Sequence, residues 1–294
     1  MSLYRLSHSA LQTFHSCERL FQLDRTEASP EKQHSPATVL GTAFGVGAAS
    51  YLVDQDIDKA LFKAWMAYFP VLTDDKRSPE VCLNLLLASV PALDNLLQDW
   101  EVIYFDGKPA VELSFRLNLS SQFYYVGYVD LCLKNRWTGR AAVIDIKTTA
   151  LNLFDLSPVY QNSDQCLSYS VVLDKIVGEQ NAEYDVGYFV GQIGKNFSCT
   201  VKPYFFTKTL QDRLDWFVSL GLDVKHLEEL VELQVFPRRG HSCLRFNKPC
   251  RHFGTCQLHS FDSPLDEIVQ DSTEYQFTFQ LEDLIQDHVA RINF

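Results

Sequence analysis

The segments Gly127-Tyr-Val-Asp130, Ile144-Asp145-Ile146-Lys147 and Gln165-Cys-Leu-Ser-Tyr169 decide the predicted fold of this chain. The first two lie in runs of β-branched and aromatic residues, at 122–134 and 140–148, which predict two strands. The third lies in a predicted helix that crosses over to further strands. A mixed sheet with a long crossover connection is therefore expected.

Polar side chains from all three segments are predicted to converge. Side chains alternate along a strand, so Asp145 and Lys147 share one face. Antiparallel pairing across the turn between the two strands brings Asp130 near Asp145. Gln165 and Tyr169 are four residues apart on the helix and lie on one side of it.

Two carboxylates and an amine on these strands favour a metal site. Carboxylate oxygens are ligands of hard divalent cations such as Mg²⁺ and Mn²⁺, and a fixed cation can activate water for attack on a phosphodiester. The alternative is that the charges are solvated surface groups. We favour the metal site because both strands are otherwise apolar, and burial of an unpaired charge is costly.

The order and spacing of these motifs resemble the PD-(D/E)xK nuclease superfamily, in its RecB-type exonuclease branch, which includes AddB and the CRISPR-associated adaptation nucleases. That branch has a G-x-x-D strand, a D-x-K strand and a Q-x-x-x-Y helix, here Gly127/Asp130, Asp145/Lys147 and Gln165/Tyr169. The resemblance covers about residues 5 to 256. It implies an α/β fold with a restriction-endonuclease-like core, a mixed β-sheet, a helical N-terminal region and a cluster-stapled C-terminal region.

The resemblance also implies a ligand set. Asp130, Asp145 and the Ile146 carbonyl would hold Mg²⁺ or Mn²⁺. The branch has a further metal-binding histidine, in a G-x-x-x-H setting, where this chain has Gly45, which offers no ligating side chain. Glu112 is the candidate replacement ligand. The alternative is that Glu112 is a solvated strand residue without a role in metal binding.

The other site residues are assigned to the substrate. Lys147 would position the attacking water and offset charge on the scissile phosphate, while Gln165 and Tyr169 would orient the DNA strand. The sequence contains no Walker A loop for ATP hydrolysis. The expected substrate is therefore DNA ends or single strands, with a helicase or another recombination protein as the partner that unwinds duplex.

The chain has eight cysteines. Four stand singly in apolar stretches and are predicted to be core residues: Cys82, Cys132, Cys166 and Cys199. AddB-class nucleases carry one N-terminal and three C-terminal cysteine ligands, so the resemblance implies a [4Fe–4S] cluster on Cys17, Cys243, Cys250 and Cys256. Structural Zn²⁺ suits four thiolates equally well on chemical grounds, and four unconnected thiols are the remaining alternative.

Charge is unevenly distributed along the chain. The net charge of −11 is unfavourable for phosphate binding. Five basic residues without an acid lie in 237–252 and favour a nucleic-acid strip, with a solvated loop flanking a cluster as the alternative. The segment 260–294 carries eight acids against one arginine. It is either a DNA-mimicking or partner-binding tail, or a strand and a helix added to the fold.

The sequence also predicts the cellular compartment and the domain boundaries. No cleavable signal peptide is evident and no apolar stretch reaches the length needed to span a bilayer, so a cytoplasmic protein without membrane association is expected. A nuclease domain is predicted over 1–259, with a helical part at about 1–100 and an iron–sulfur segment at about 236–256. An acidic extension follows at 260–294.

Helices and strands are also predicted from periodicity and caps. The helices are an N-terminal one capped by Ser7, on which Cys17 lies, and others at 38–53, 58–69, 79–100, 160–176, 210–233 and 281–292; further strands are at 111–119, 184–192, 197–206 and 275–280.

The expected function is a metal-dependent DNA exonuclease that cleaves phosphodiester bonds in DNA processing, recombination or repair, including phage or CRISPR DNA processing. One alternative is a catalytically weakened DNA-binding or regulatory subunit on the same fold, which Gly45 and the acidic charge favour. The other is an acidic inhibitor that mimics DNA.

Overall fold

The computed structural model describes residues 3–25, 35–74, 76–177, 182–194, 198–245, 248–256, 265 and 273–292. Its helices are α1 (His8–Ser16), α2 (Glu18–Leu23), α3 (Pro36–Asp54), α4 (Ile57–Ala67), α5 (Pro79–Asp99), α6 (Ser157–Gln161), α7 (Asp164–Tyr169), α8 (Leu173–Ile176), α9 (Leu210–Leu233) and α10 (Leu281–Ile292). Its strands are β1 (Tyr4–Leu6), β2 (Trp100–Val102), β3 (Tyr104–Phe105), β4 (Lys108–Pro109), β5 (Val111–Asn118), β6 (Phe123–Asn135), β7 (Ala141–Thr149), β8 (Glu183–Ile193), β9 (Cys199–Thr209), β10 (Leu244–Arg245), β11 (Lys248–Pro249) and β12 (Phe277–Gln280).

The chain forms two compact units. Unit 1 comprises Met1–Gln33, Ser114–Gly127 and Leu214–Phe294; unit 2 comprises His34–Leu113 and Tyr128–Arg213. The predicted domain boundary at 259/260 lies outside the described residues.

Unit 2 contains a mixed sheet, as predicted. Strands β6, β7, β8 and β9 lie in this order: β6 and β7 are antiparallel, β7 and β8 parallel, and β8 and β9 antiparallel. Helix α3 packs on β7, and α5 packs on β9. Polar residues begin these helices: Ser35 and Ser78 each accept a hydrogen bond from the backbone N–H three residues on. A mixed α/β core with a helical layer results.

Helices α3 and α5 have an apolar composition that packing explains. Both are long and apolar enough, by length and composition alone, to cross a membrane, so the expectation that no stretch reaches that length was wrong. Leu40, Phe44, Leu85 and Leu86 of these helices belong to the buried core of unit 2. A side chain at Gly47 would lie 2.6 Å from Leu86, so glycine lets α3 and α5 approach closely.

Unit 1 contains the described part of the acidic segment. Strand β12 pairs in parallel with residues 115–118 of β5, and α10 follows β12 directly. The rings of Phe115 and Phe279 meet edge to face at 6.2 Å, and His288 of α10 packs on Phe217 of α9. Residues 273–292 therefore form the strand and helix that were predicted as one of the two alternatives for this segment.

Two helix predictions were wrong in detail. The helix predicted over 160–176 is divided into α6, α7, a 3₁₀ turn and α8, because Ser163 begins α7 anew by accepting a hydrogen bond from the Gln165 N–H. Cys17, predicted to lie on the first helix, is an extended junction between α1 and α2. The buried guanidinium of Arg213 bonds the Ser170 carbonyl oxygen at 3.0 Å and thereby anchors the turn after α7.

Candidate active site

Strands β6 and β7 bring the two predicted acids together. Their pairing ends at Leu131 and Ile144, so Asp130 and Asp145 follow at the point where the ladder stops. There, the Asp130 Oδ2 atom accepts the backbone N–H of Ile146 at 2.7 Å. A side chain thus replaces the main-chain acceptor of the neighbouring strand, and the gap between the strands becomes part of a cleft.

Asp145 is the centre of a hydrogen-bonded group. Its Oδ1 atom accepts the Lys147 ammonium at 3.0 Å and the Gln165 side-chain amide at 3.0 Å. The same amide nitrogen donates to the Tyr169 hydroxyl oxygen at 3.0 Å. The structure therefore places Asp130, Asp145, Lys147, Gln165 and Tyr169 in one cluster, where the sequence placed them.

One oxygen of this group has no hydrogen bond. The Asp145 side chain is 3% exposed, and its buried Oδ2 atom accepts no hydrogen bond from the described residues. The Lys147 ammonium lies 2.9 Å from it but outside hydrogen-bonding geometry. Buried polar atoms are rarely left without a hydrogen bond, and a carboxylate oxygen is a fitting ligand for a hard cation.

The carboxyl groups of the cluster have raised pKa values, which also favour a bound cation. Burial raises the pKa of Asp145 to about 7; Lys147 opposes the rise and Asp130 adds to it. Burial also raises the pKa of Asp130, against the Ile146 hydrogen bond and the Lys147 charge. The pKa of Glu112 is raised by burial and by Asp130. Crowded, buried carboxylates disfavour their own ionisation, and a divalent cation among them reverses that preference.

These residues line a cleft of about 420 Å³, which includes Glu112 and Gly45. A side chain at Gly45 would meet no atom within 4 Å, so the cleft is open at the position where the sequence resemblance implies a histidine. Glu112 has a left-handed φ of 51°, an unfavourable backbone conformation that places it in this cleft. Sequence reasoning missed Tyr128, a lining residue two positions before Asp130, which the period of two along β6 could have identified.

No three histidine, cysteine or acidic side chains among the described residues form a group that could hold one metal ion. The cleft still fits Mg²⁺ or Mn²⁺, because Mg²⁺ is often held by one or two carboxylates and completes its shell with water and substrate phosphate.

A second candidate site lies in unit 1. Cys17, Cys243, Cys250 and Cys256 line one cavity of about 80 Å³ together with apolar side chains. The β10–β11 hairpin holds two of them in place, since the Cys250 N–H donates to the Cys243 carbonyl oxygen at 2.8 Å. Four thiols are the donor type that a thiophilic group takes, although these described cysteines are not arranged around a single ion. Of the cysteines predicted as core, Cys82, Cys132 and Cys166 are buried and Cys199 is half-buried.

The basic strip around this cavity binds acids of the N-terminal helices. Arg239 donates to Glu18 at 2.8 Å, and Arg251 donates to Asp24 at 2.7 Å. The Nε2 atom of buried His252 lies 3.0 Å from Asp24. The structure therefore favours the alternative interpretation of this strip, in which it surrounds the cysteines, over a nucleic-acid surface.

We expect Asp24→Asn to lower the free energy of unfolding by about 1–3 kcal/mol, because it removes a buried carboxylate charge that pairs with Arg251 and contacts His252. The measurement is urea denaturation at neutral pH. The matched control is Glu232→Gln, which neutralises an exposed acid of α9 and should change stability by less than about 0.5 kcal/mol. Equal stability of the two variants would contradict the prediction.

Comparison with known proteins gives one family. The family model of the PD-(D/E)XK nuclease superfamily matches residues 5–257. No match is found among the curated proteins. Among solved structures, the chain is similar to a "putative exonuclease" from Eubacterium rectale, with 13% sequence identity, a TM-score of 0.46, and coverage of 85% of this chain and 92% of that chain. A similarity this low supports no conclusion about activity.

Proposed function

Because the chain belongs to the PD-(D/E)XK nuclease superfamily, we propose that it is a Mg²⁺- or Mn²⁺-dependent DNA exonuclease of the RecB type. The observation that carries the proposal is the buried Asp145 carboxylate, with one oxygen bound by Lys147 and Gln165 and the other without a hydrogen bond. Asp130, Asp145, Glu112 and the Ile146 carbonyl would hold the cation. When bound, the cation polarises the phosphate and acidifies a water ligand.

The protein residues position the reacting groups. Burial lowers the pKa of Lys147, but Asp145 and Asp130 raise it, and the net result is a raised pKa. Lys147 is therefore an ammonium ion, which orients the attacking water and offsets charge that grows on the phosphate oxygens. Gln165 holds Tyr169 by a hydrogen bond, which fixes the direction in which that hydroxyl can meet the DNA strand.

The test is incubation with end-labelled linear DNA and Mn²⁺ or Mg²⁺. We expect metal-dependent release of label from the ends, no release with a chelator, and little cutting of a closed circle. Retained DNA binding without cleavage in any metal would favour a weakened binding subunit instead. Inhibition of a separate nuclease, lost on removal of 260–294, would favour the DNA mimic.

Gly45 is the feature that favours the weakened subunit, and it can be tested directly. Gly45→His would place an imidazole in the open part of the cleft and is expected to tighten Mn²⁺ binding about tenfold or more. Gly45→Ala is the control, since it supplies only the helix stabilisation of about 0.5–1 kcal/mol. Calorimetric Mn²⁺ titration measures the difference, and equal affinities of the two variants would exclude a ligand position at residue 45.

We also propose a [4Fe–4S] cluster on Cys17, Cys243, Cys250 and Cys256. All four line one cavity, yet the described cysteines form no group arranged around a single ion. Four thiolates suit Zn²⁺ or an iron–sulfur cluster, and the resemblance to AddB-class nucleases favours the cluster. The cluster would join residues at both ends of unit 1. The proposed compartment is the cytoplasm, where reducing conditions keep the four thiols free to bind the cluster. The proposed partner of the nuclease is a helicase that unwinds duplex DNA.

A further inference from the structure

The connection between β7 and α7 is an exposed surface with site residues at both ends. Lys147 lies just before it and Gln165 just after it. Within the connection, Phe154 is 80% exposed and Leu151 is 65% exposed. Two hydrogen bonds anchor the backbone of this connection. The Gln192 amide donates to the Leu151 carbonyl oxygen at 2.7 Å, and the Tyr204 hydroxyl donates to the Leu153 carbonyl oxygen. The backbone of this connection is therefore fixed, while the Phe154 ring stays exposed.

A cation lies against this ring. The Lys202 ammonium is 5.1 Å from the centre of the Phe154 ring and 4.9 Å from that of Tyr204. Lys202 makes no ion pair with a carboxylate in the part of the chain that the structure describes. An exposed ring beside an uncompensated cation is the combination by which proteins bind single-stranded nucleic acid.

Sheet register places Lys202 beside the catalytic cluster. Lys147 of β7 pairs with Val190 of β8, and Val190 pairs with Lys202 of β9. Paired positions point to the same face, so both lysines lie on the face that carries Asp145. Two strand spacings separate their backbones, about 10 Å, which corresponds to about three stacked nucleotides at 3.4 Å each.

We propose that Phe154 and Lys202 form a platform for the DNA strand being cut, where Lys202 binds a phosphate about three nucleotides from the scissile one and Phe154 stacks on an adjoining base. The inference rests on the proposed nuclease function and adds the substrate form. A base inside a duplex has no free face, so the platform requires a single strand or a frayed end.

Binding of a labelled thymidine oligonucleotide, measured with a chelator present so that nothing is cut, tests the platform. Phe154→Ala should weaken this binding by about 5- to 150-fold, the range for loss of one base stack, and should leave binding to blunt duplex nearly unchanged. Phe154→Trp should keep the affinity and show fluorescence quenching beyond that of the wild-type protein. Lys202→Gln should reduce the slope of log affinity against log salt by about 0.7.

The matched control is Trp137→Ala. Trp137 is 78% exposed but lies in the turn before β7, at the opposite end of that strand from Lys147, and its loss should not change single-strand binding. Unchanged binding by Phe154→Ala, or equal weakening for duplex, would overturn the platform while wild-type cleavage left the nuclease assignment standing. A wild-type protein that neither binds nor cuts DNA would overturn both.

Discussion

Asp145→Asn is expected to reduce DNA cleavage by at least about a thousandfold. Asparagine keeps an oxygen that can accept from Gln165, but it removes the charge that would hold the divalent cation and pair with Lys147. The initial rate of label release from linear DNA in Mn²⁺ measures the effect. Asp58→Asn is the control, because Asp58 is an exposed acid of α4 that does not line the cleft, and it should cleave at the wild-type rate.

The same variant should not lose stability, which separates a lost site from a lost fold. Burial raises the pKa of Asp145 to about 7, above its unfolded value of about 3.9. Its ionisation therefore destabilises the folded chain increasingly as pH rises through this interval. Without metal, Asp145→Asn should match wild type near pH 4 and have an equal or higher Tm at pH 8. A lower Tm at pH 8 would contradict this assignment of the charge.

Cys250→Ser is expected to remove the brown colour and the bound iron of anaerobically purified protein. The cluster would close a loop of over two hundred residues between Cys17 and Cys243, and loss of such closure should lower the free energy of unfolding by about 4–6 kcal/mol. Iron analysis and urea denaturation measure the two effects. The control is Cys199→Ser, at a half-buried cysteine of β9, which should retain full iron content.

A colourless wild-type protein that contains zinc would reject the cluster but keep the four-cysteine site. Wild-type protein without iron or zinc, and with the stability of Cys250→Ser, would reject the site altogether. In that case the ion pairs of Asp24 and Glu18 with Arg251 and Arg239 would account for the arrangement of the cavity.

The cleft was predictable because periodicity and pairing leave little freedom. Asp145 and Lys147 share a face by the period of two, and a short turn fixes which part of β6 meets β7. Gln165 and Tyr169 are four residues apart, which places both side chains on one side of a helix and completes the cluster. Each rule is local, so the sequence contained what was needed.

Other features depend on long-range choices among similar groups. Arg239 and Arg251 resembled a nucleic-acid strip because nothing local indicates that Glu18 and Asp24, over two hundred residues away, take up their charges. The turn after α7 was likewise hidden, because its stabilisation by Arg213 comes from α9, whereas the Ser163 cap that begins α7 was a local signal that the helix prediction missed. Tyr128 was overlooked among many aromatic residues of β6, although its position before Asp130 was available from the pattern.

The hydrogen bond from the Ile146 N–H to Asp130 has a practical consequence for trapping a complex with uncut DNA. Alanine at position 130 would leave the Ile146 N–H buried without an acceptor, and the resulting local distortion would alter the cleft in any structure with bound substrate. Asparagine keeps an oxygen for that donor and discards only the negative charge. An inert Asp130→Asn protein should therefore crystallise with an intact oligonucleotide in an undisturbed cleft, and is the variant of choice for that purpose.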